Sequence, residues 1–426
     1  MRKRDRRDGA VTETMTDYEK ICDFQNLYKA HTVARKGKRH KGEVIRFELN
    51  LAHNLTTMRE QLLNKTYRMK GYYHFIIHEP KKRDIFAAYY SDRLLLHCIS
   101  DEVLVPLLER RLIYDNAACQ VGKGTHFAID RLNKFLREHY RQHGTEGYVL
   151  KCDISKYFAS IDHEVLKKQI SKVLHDKDVR DLLFTYIDRH HTEGRPGVGI
   201  PLGNQCSQWF ALYYLDRVDR LIKEKLQVKH YIRYMDDLVL VHPDKKFLSR
   251  ALEQIRAVVE DELKLDLNAK TQITPLSRGI EFLGWRFFLT DTGKVIRKMK
   301  PQSKLRYKRR LRKLQKDYEA GVIEFFDVQQ CLAAYDGHLT YGHTYKLKEK
   351  VMSEFVLQRP SPMALRAIAD DSSKEVNDSE LSSSFVCADR DFDHPSLSKS
   401  LSAHISSENS CPNNLTPIST KKRELL

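Results

Sequence analysis

The run Tyr231-Ile-Arg-Tyr-Met-Asp-Asp-Leu-Val-Leu-Val241 places Asp236 and Asp237 side by side between two apolar stretches. Such flanks read as two strands, with the acidic pair at the tip of the hairpin joining them. Neighbouring carboxylates repel, and a fold that keeps them together generally holds a cation there. A second acidic strand stands upstream, in Tyr148-Val-Leu-Lys-Cys-Asp-Ile-Ser-Lys-Tyr-Phe-Ala-Ser-Ile-Asp162. Its apolar strand ends in Asp153, and two aromatics follow at Tyr157 and Phe158. Alone, Asp153 would equally suit a helix N-cap or a turn. Together with Asp236 and Asp237 it gives three carboxylates from two strands. Such a set can hold two divalent metals about 3.5–4 Å apart for an in-line displacement at phosphorus. Oxygen-only ligands suit Mg²⁺, which keeps part of its water and takes substrate phosphates as further ligands.

The rest of the chain must position these groups. Residues 16–70 show helical periodicity, with Phe24, Leu27 and Tyr28 in one stripe and Leu49, Leu51 and Leu55 opening another. Tyr72–His78 and Ile85–Tyr89 read as strands around the charged turn Lys81-Lys82-Arg83. Asp92-Arg93 opens a helix running to about Arg111. After it, Ala118–His126 is Gly-rich and basic but lacks the full Gly-x-x-x-x-Gly-Lys-Ser/Thr spacing, which excludes a P-loop nucleotide-triphosphatase. The Pro/Gly loop Gly194–Gly203 leads into a helix at Gln205–Leu226. In Arg297–Lys316 and just beyond, Tyr307, Leu311, Leu314 and Tyr318 recur at helical spacing among Lys and Arg, giving an amphipathic basic helix. From Gln358 onward Ser, Asn and Asp dominate, the composition of a disordered tail.

With 426 residues there is room for two or three domains of core. A net charge of +17 points to a polyanionic partner. The basic residues cluster in Met1–Arg7, Arg35–Lys41, Lys81–Arg83 and Arg297–Lys316. The eight cysteines include no Cys-x-x-Cys pair, so neither a zinc site nor a redox motif is expected, and reduced thiols suit a cytoplasmic protein. No apolar stretch approaches the roughly 20 residues that span a bilayer, and the charged N-terminus lacks the apolar core of a secretory signal.

Across residues 45–345 these motifs, in this order, resemble the reverse transcriptase family. The resemblance implies an α+β, right-hand polymerase: a basic arm at 1–15, fingers at 16–147, a palm at 148–300 whose antiparallel sheet is backed by helices, a short helical thumb at 301–359, and a tail at 360–426. It implies that Asp153, Asp236 and Asp237 hold two Mg²⁺ ions, with Mn²⁺ able to substitute, and that Ile154 offers its backbone carbonyl to one of them. It makes Phe158 the aromatic gate against a nucleotide 2′-hydroxyl. Lys81 and Arg83 would grip the triphosphate, Arg83 being the better match. Lys270, in Asn268-Ala-Lys-Thr271, would protonate the leaving pyrophosphate. Lys123 and the thumb residues Arg309, Arg310 and Arg312 would track nucleic acid. Arg278–Trp285 resembles the primer-grip hairpin, with Gly279 and Gly284 bracketing a tight strand pair. The substrates implied are dNTPs, template RNA and a primer–cDNA duplex.

Many reverse transcriptases carry Gln-Gly and Ser-Pro where this chain has Leu202-Gly203 and Ser207-Gln208. Both departures resemble the enzymes of diversity-generating retroelements, as does the run Gly197-Val-Gly-Ile-Pro-Leu-Gly203. That resemblance implies error-prone copying at template adenines, mutagenic retrohoming, and a small basic accessory protein. Leu202, Gly203 and Gln208 then line the nucleotide pocket. A retron-type or antiviral defence reverse transcriptase and a non-catalytic RNA-binding protein on the same fold stay open. No endonuclease or Cys-rich DNA-binding motif is recognisable after the thumb, which points to a compact enzyme.

Overall fold

A computed structural model describes residues 15–78 and 82–358. Among these residues the strands are β1 (Tyr72–Ile77), β2 (Arg83–Ala88), β3 (Tyr148–Asp153), β4 (Tyr231–Tyr234), β5 (Asp237–His242), β6 (Gln272–Pro275), β7 (Ile280–Phe282), β8 (Trp285–Leu289) and β9 (Val295–Met299). They form a two-stranded sheet β1-β2, a four-stranded sheet in the order β4-β5-β3-β6, and a three-stranded sheet β7-β8-β9. All the ladders are antiparallel.

The four-stranded sheet explains itself by the alternation of strand side chains. Leu150 and Cys152 on β3 pair with Leu240 and Leu238 on β5, and all four are buried. The opposite face carries Asp153 and Lys151 with Asp237. Helices Thr125–His143 and Lys245–Ala257 pack against this sheet. The fold is α+β, an antiparallel sheet backed by helices.

Before the sheet, helices Asp17–Cys22, Phe24–Ala34, Gly42–Leu49 and Leu51–Leu63 form an N-terminal group. Leu27 and Leu55 are buried there as expected. Tyr28 and Leu49 instead face solvent: the buried face of Phe24–Ala34 runs through Leu27, Ala30, His31 and Ala34, and Leu49 is the last residue of its helix, which breaks at Asn50. The next helix begins at Tyr90. Asp92 is therefore not its cap. Its buried carboxylate accepts the backbone N–H groups of Lys70 (2.6 Å) and Gly71 (3.2 Å) and the hydroxyl of Tyr67 (2.7 Å), fixing the chain as it approaches β1. The helix expected over Gln205–Leu226 breaks after Tyr214 and resumes at Asp216–Arg220, with a wider turn at Leu221–Lys225.

Three helices follow β9: Pro301–Glu319, Phe325–Leu339 and Tyr345–Ser353. The first buries Tyr307, Leu311 and Leu314 and turns Arg309 and Arg312 to solvent. Its group docks on the three-stranded sheet. A Cβ on Gly342 would collide with the ring of Trp285, so only glycine fits there. His343 and Arg297 exchange two hydrogen bonds, and Tyr341 stacks on His126 at 3.5 Å between ring centres. Tyr341, Gly342 and His343 are thus packing residues.

Candidate active site

β3 and β5 bring two of the three aspartates face to face. Asp153 stands directly opposite Asp237 in the ladder. Tyr234 pairs with Asp237, so Met235 and Asp236 form a two-residue turn between β4 and β5. Met235 sits at φ +53°, a left-handed conformation that disfavours a side chain. Burial raises the affinity of Asp236 for its proton, the negative charge of Asp153 adds to this, and the charges of Arg83 and Arg233 oppose it. Burial also pushes the Asp237 carboxyl up to about 6, with Lys151 pulling the other way.

Lys151 was not anticipated. It lies two residues before Asp153, hence on the same strand face. Its Nζ is 3.2 Å from Asp237 and donates to the carbonyl of Glu281 at 2.8 Å, tying the acidic face to β7. The ammonium stands 3.2 Å from both Asp237 oxygens, donating a hydrogen bond to Oδ2 and pairing by charge with Oδ1.

A second segment pins Asp153. The N–H of Asn268 donates to its carbonyl at 2.7 Å, and its own N–H donates to Thr271 Oγ1 at 3.4 Å. Ile154 bridges Leu267. Lys270 therefore occupies a short exposed turn whose two sides are tied to Asp153.

The nucleotide-pocket candidates gather around one loop. The N–H of Ile200 donates to the carbonyl of Phe158 at 2.9 Å, and that of Gly199 to Ile161 at 2.7 Å. Phe158 is half-buried against the core, while Tyr157 is buried and bonds Ala211 through its hydroxyl. Two residues beyond Ile200, Leu202 accepts the N–H of Phe86 on β2 at 3.3 Å. Gly203 has φ +111°, and a Cβ there would press on Ile85 at 3.2 Å. Asn204, also unanticipated, is buried and completes the pairing: it donates to Phe86 O (3.0 Å) and accepts from Ala88 N (3.3 Å). Gln208 is half-buried one turn into the following helix, and Ser207 bonds Tyr186 at 2.8 Å. Arg83 is exposed at the start of β2, close enough for its charge to reach Asp236. Lys81 lies outside the described residues.

The expected nucleic-acid contacts divide. Arg309 and Arg312 are exposed on the basic helix, and Arg310 is half-buried there. The ammonium of Lys123 turns inward, donating to Asn116 O (3.2 Å) and Gln120 Oε1 (2.9 Å) beside the ring of Tyr114, and burial lowers its pKa. Leu283 and Gly284 both take positive φ in the two-residue turn between β7 and β8, and Trp285 is wholly buried, so it belongs to the core. Gly279 takes φ +76° just before β7.

The carboxylates fit a divalent cation in one respect: Asp153 and Asp237 are like charges directly opposite, an arrangement destabilising by itself, which Lys151 at 3.2 Å from Asp237 offsets only from one side. Among the described residues no three Asp, Glu, His or Cys side chains are grouped so as to hold a metal ion by themselves.

A match to the reverse transcriptase (RNA-dependent DNA polymerase) family spans residues 74–287. The chain belongs to this family. It is 31% identical to protein YkfC of Escherichia coli over 176 residues, covering 33% of this chain and 46% of that protein. It is 25% identical to the COX1/OXI3 intron 2 protein of Saccharomyces cerevisiae over 122 residues, covering 27% of this chain and 14% of that one. The chain thus spans less than half the length of these relatives. Among solved structures it is similar to apo telomerase from Candida tropicalis, truncated from its C-terminal domain, with TM-score 0.41 and 15% identity over 54% of this chain and 55% of that one. Telomerase from Candida albicans with a telomeric RNA fragment gives TM-score 0.39 and 14% identity over 53% and 45%. Among the described residues no helix is long and apolar enough to cross a membrane.

Proposed function

We propose that this chain is an RNA-directed DNA polymerase that extends a primer on an RNA template with dNTPs, in the cytoplasm. The carrying observation is Asp153 facing Asp237 across β3 and β5, with Asp236 in the adjoining turn. In this reading Asp153, Asp236, Asp237 and the carbonyl of Ile154 hold two divalent cations, Mg²⁺ or substituting Mn²⁺. Bound there, the cations would activate the primer 3′-hydroxyl and neutralise the leaving pyrophosphate. Arg83, with Lys81, grips the triphosphate through charge-assisted hydrogen bonds. Phe158 packs under the sugar and leaves no space for a 2′-hydroxyl. Lys270, in its turn beside Asp153, gives a proton to the departing pyrophosphate. Arg309, Arg310 and Arg312 serve the nucleic acid, and Lys123, whose ammonium is engaged by Asn116 and Gln120, does not. Residues 16–147 act as fingers, 148–300 as palm and 301–359 as thumb. The basic arm at 1–15 falls almost wholly outside the described residues, as does all of the tail at 360–426.

Within the family, the residue types at Leu202-Gly203 and Ser207-Gln208 favour the diversity-generating retroelement type, working with a small basic accessory protein. Leu202 has no side-chain hydrogen-bonding group, and its backbone carbonyl is already engaged by β2. Selection by apolar shape alone discriminates by about 1–3 kcal/mol. Sequencing cDNA from a defined RNA template tests this: misincorporation should concentrate opposite adenine, and Leu202→Gln should reduce it. Equal accuracy at all four template bases would remove the retroelement assignment and leave the polymerase.

A further inference from the structure

The turn that carries Asp236 is held from inside the protein. Arg233, two residues before Met235, has no exposed surface, and neither has Asp219. Their pairing is bidentate: Arg233 Nε donates to Asp219 Oδ1 at 2.8 Å and Nη2 to Oδ2 at 2.6 Å. Tyr231 adds its hydroxyl to Oδ1 at 2.6 Å, and Nη2 also donates to the carbonyl of Leu212 at 2.9 Å. One further donor leaves this cluster: Nη1 reaches the carbonyl of Met235 at 3.0 Å.

A buried ion pair is a poor source of stability, since desolvating two charges offsets most of their attraction. Its geometry here does something else. Met235 is held at φ +53°, a conformation costing of order 1–3 kcal/mol for a residue with a side chain. Such strain persists only where the surroundings over-determine it. The carbonyl that Arg233 grips belongs to the peptide joining Met235 to Asp236, so it sets the direction in which Asp236 leaves the turn. The backbone of Arg233 is itself fixed, donating to Asp115 O at 3.1 Å and accepting from Ala117 N at 2.9 Å. The grip is therefore anchored on both sides.

We propose that Arg233 is a positioning residue for the acidic turn, with Asp219 as the counter-ion that fixes its guanidinium fork. The proposal rests on the polymerase reading for its kinetic consequence. Arg233→Lys in the full chain tests it. Lysine keeps a cation opposite Asp219 but lacks the planar fork that spans Asp219 and Met235 together. In primer extension on RNA, kcat should fall about 100-fold, the size of effect that follows a misplacement of about 1 Å. The KM for dNTP and the affinity for RNA should not change. Mn²⁺ binding, followed by electron paramagnetic resonance without RNA or dNTP, should weaken about tenfold, as when a group orienting a ligand is lost.

A folded variant with wild-type kcat and Mn²⁺ affinity overturns the proposal. So does one whose KM and RNA affinity deteriorate in step with kcat, since that is general distortion. If Arg233→Lys does not fold, Asp219→Asn carries the test. It keeps the shape and leaves Arg233 its carbonyl acceptors, and it must lower kcat with KM unchanged; wild-type kcat in that variant also overturns the proposal. A wild-type protein that extends no primer defeats the polymerase reading instead, while the Mn²⁺ comparison still decides the role of Arg233.

Discussion

β3 and β5 lie at the centre of a four-stranded sheet, whereas β1 and β2 make a sheet of only two strands. In β5, Leu238 to Val241 are all buried. In β1, the four residues Tyr73 to Ile76 are all exposed. A lone two-stranded ribbon is marginal in water. This one is steadied from outside: Leu202 and Asn204 pair with its β2 edge, and His190 packs its ring on Phe86 at 4.6 Å and Tyr72 at 5.8 Å. The carboxylates thus stand on a frame fixed by the core. Arg83 stands on a ribbon whose position depends on the loop that also bears Gly203. A rigid frame suits groups that must be held against mutual repulsion, and a dependent one suits a group that must meet and release a substrate.

The largest expected effect separates the two regions. Asp153→Ala should lower primer extension about a thousandfold or more, because several kcal/mol of transition-state stabilisation go with the metal ligand. Its thermal unfolding should not worsen, since a repelling charge is removed. A residual rate within tenfold of wild type would place the chemistry elsewhere.

The next effect is smaller and falls on binding. Asn204→Ala removes two hydrogen bonds to β2, each worth about 1 kcal/mol. The KM for dNTP should rise about tenfold, with kcat nearly kept and faster amide exchange in β2 alone. If exchange in β3 and β5 quickens equally, the two regions are one cooperative unit.

The smallest effect depends on pH. Burial lowers the pKa values of His190 and His97 to about 4. In the unfolded chain both take a proton near 6.5. Between those values the unfolded state binds more protons, so stability falls as pH is lowered through that window. His190 backs the ribbon, so exchange in β2 should quicken on acidification before that in β5. The reverse order would show that His190 does not support the hairpin.

What the sequence made legible was what repeats locally. Alternating apolar residues in Tyr148–Asp153 and Tyr231–Val241 mark the strands, and the acidic ends mark the face. Tyr307, Leu311 and Leu314 mark the basic helix by their spacing. Contacts between distant segments were not legible. Nothing in Asn204 announces that it will pair with β2, and Asp92 reads as a cap because its true partners, Lys70 and Gly71, lie 22 and 21 residues away. Arg233 carried a usable signal: a charge inside an apolar strand requires a buried partner. The sequence alone did not say that the partner is Asp219. Lys123 looked available for phosphate because a Gly-rich loop usually exposes its lysine, yet here Asn116 and Gln120 draw the ammonium inward.

The central claim is that the carboxylates on the four-stranded sheet perform RNA-templated DNA synthesis. Its most direct test is extension of a labelled DNA primer on an RNA template, with dNTPs and Mg²⁺, by wild type and by the Asp236→Asn/Asp237→Asn double variant. The account predicts extension to the template end by the wild type, none by the folded double variant, and equal RNA binding by both. Extension by the double variant at a rate near wild type would contradict it.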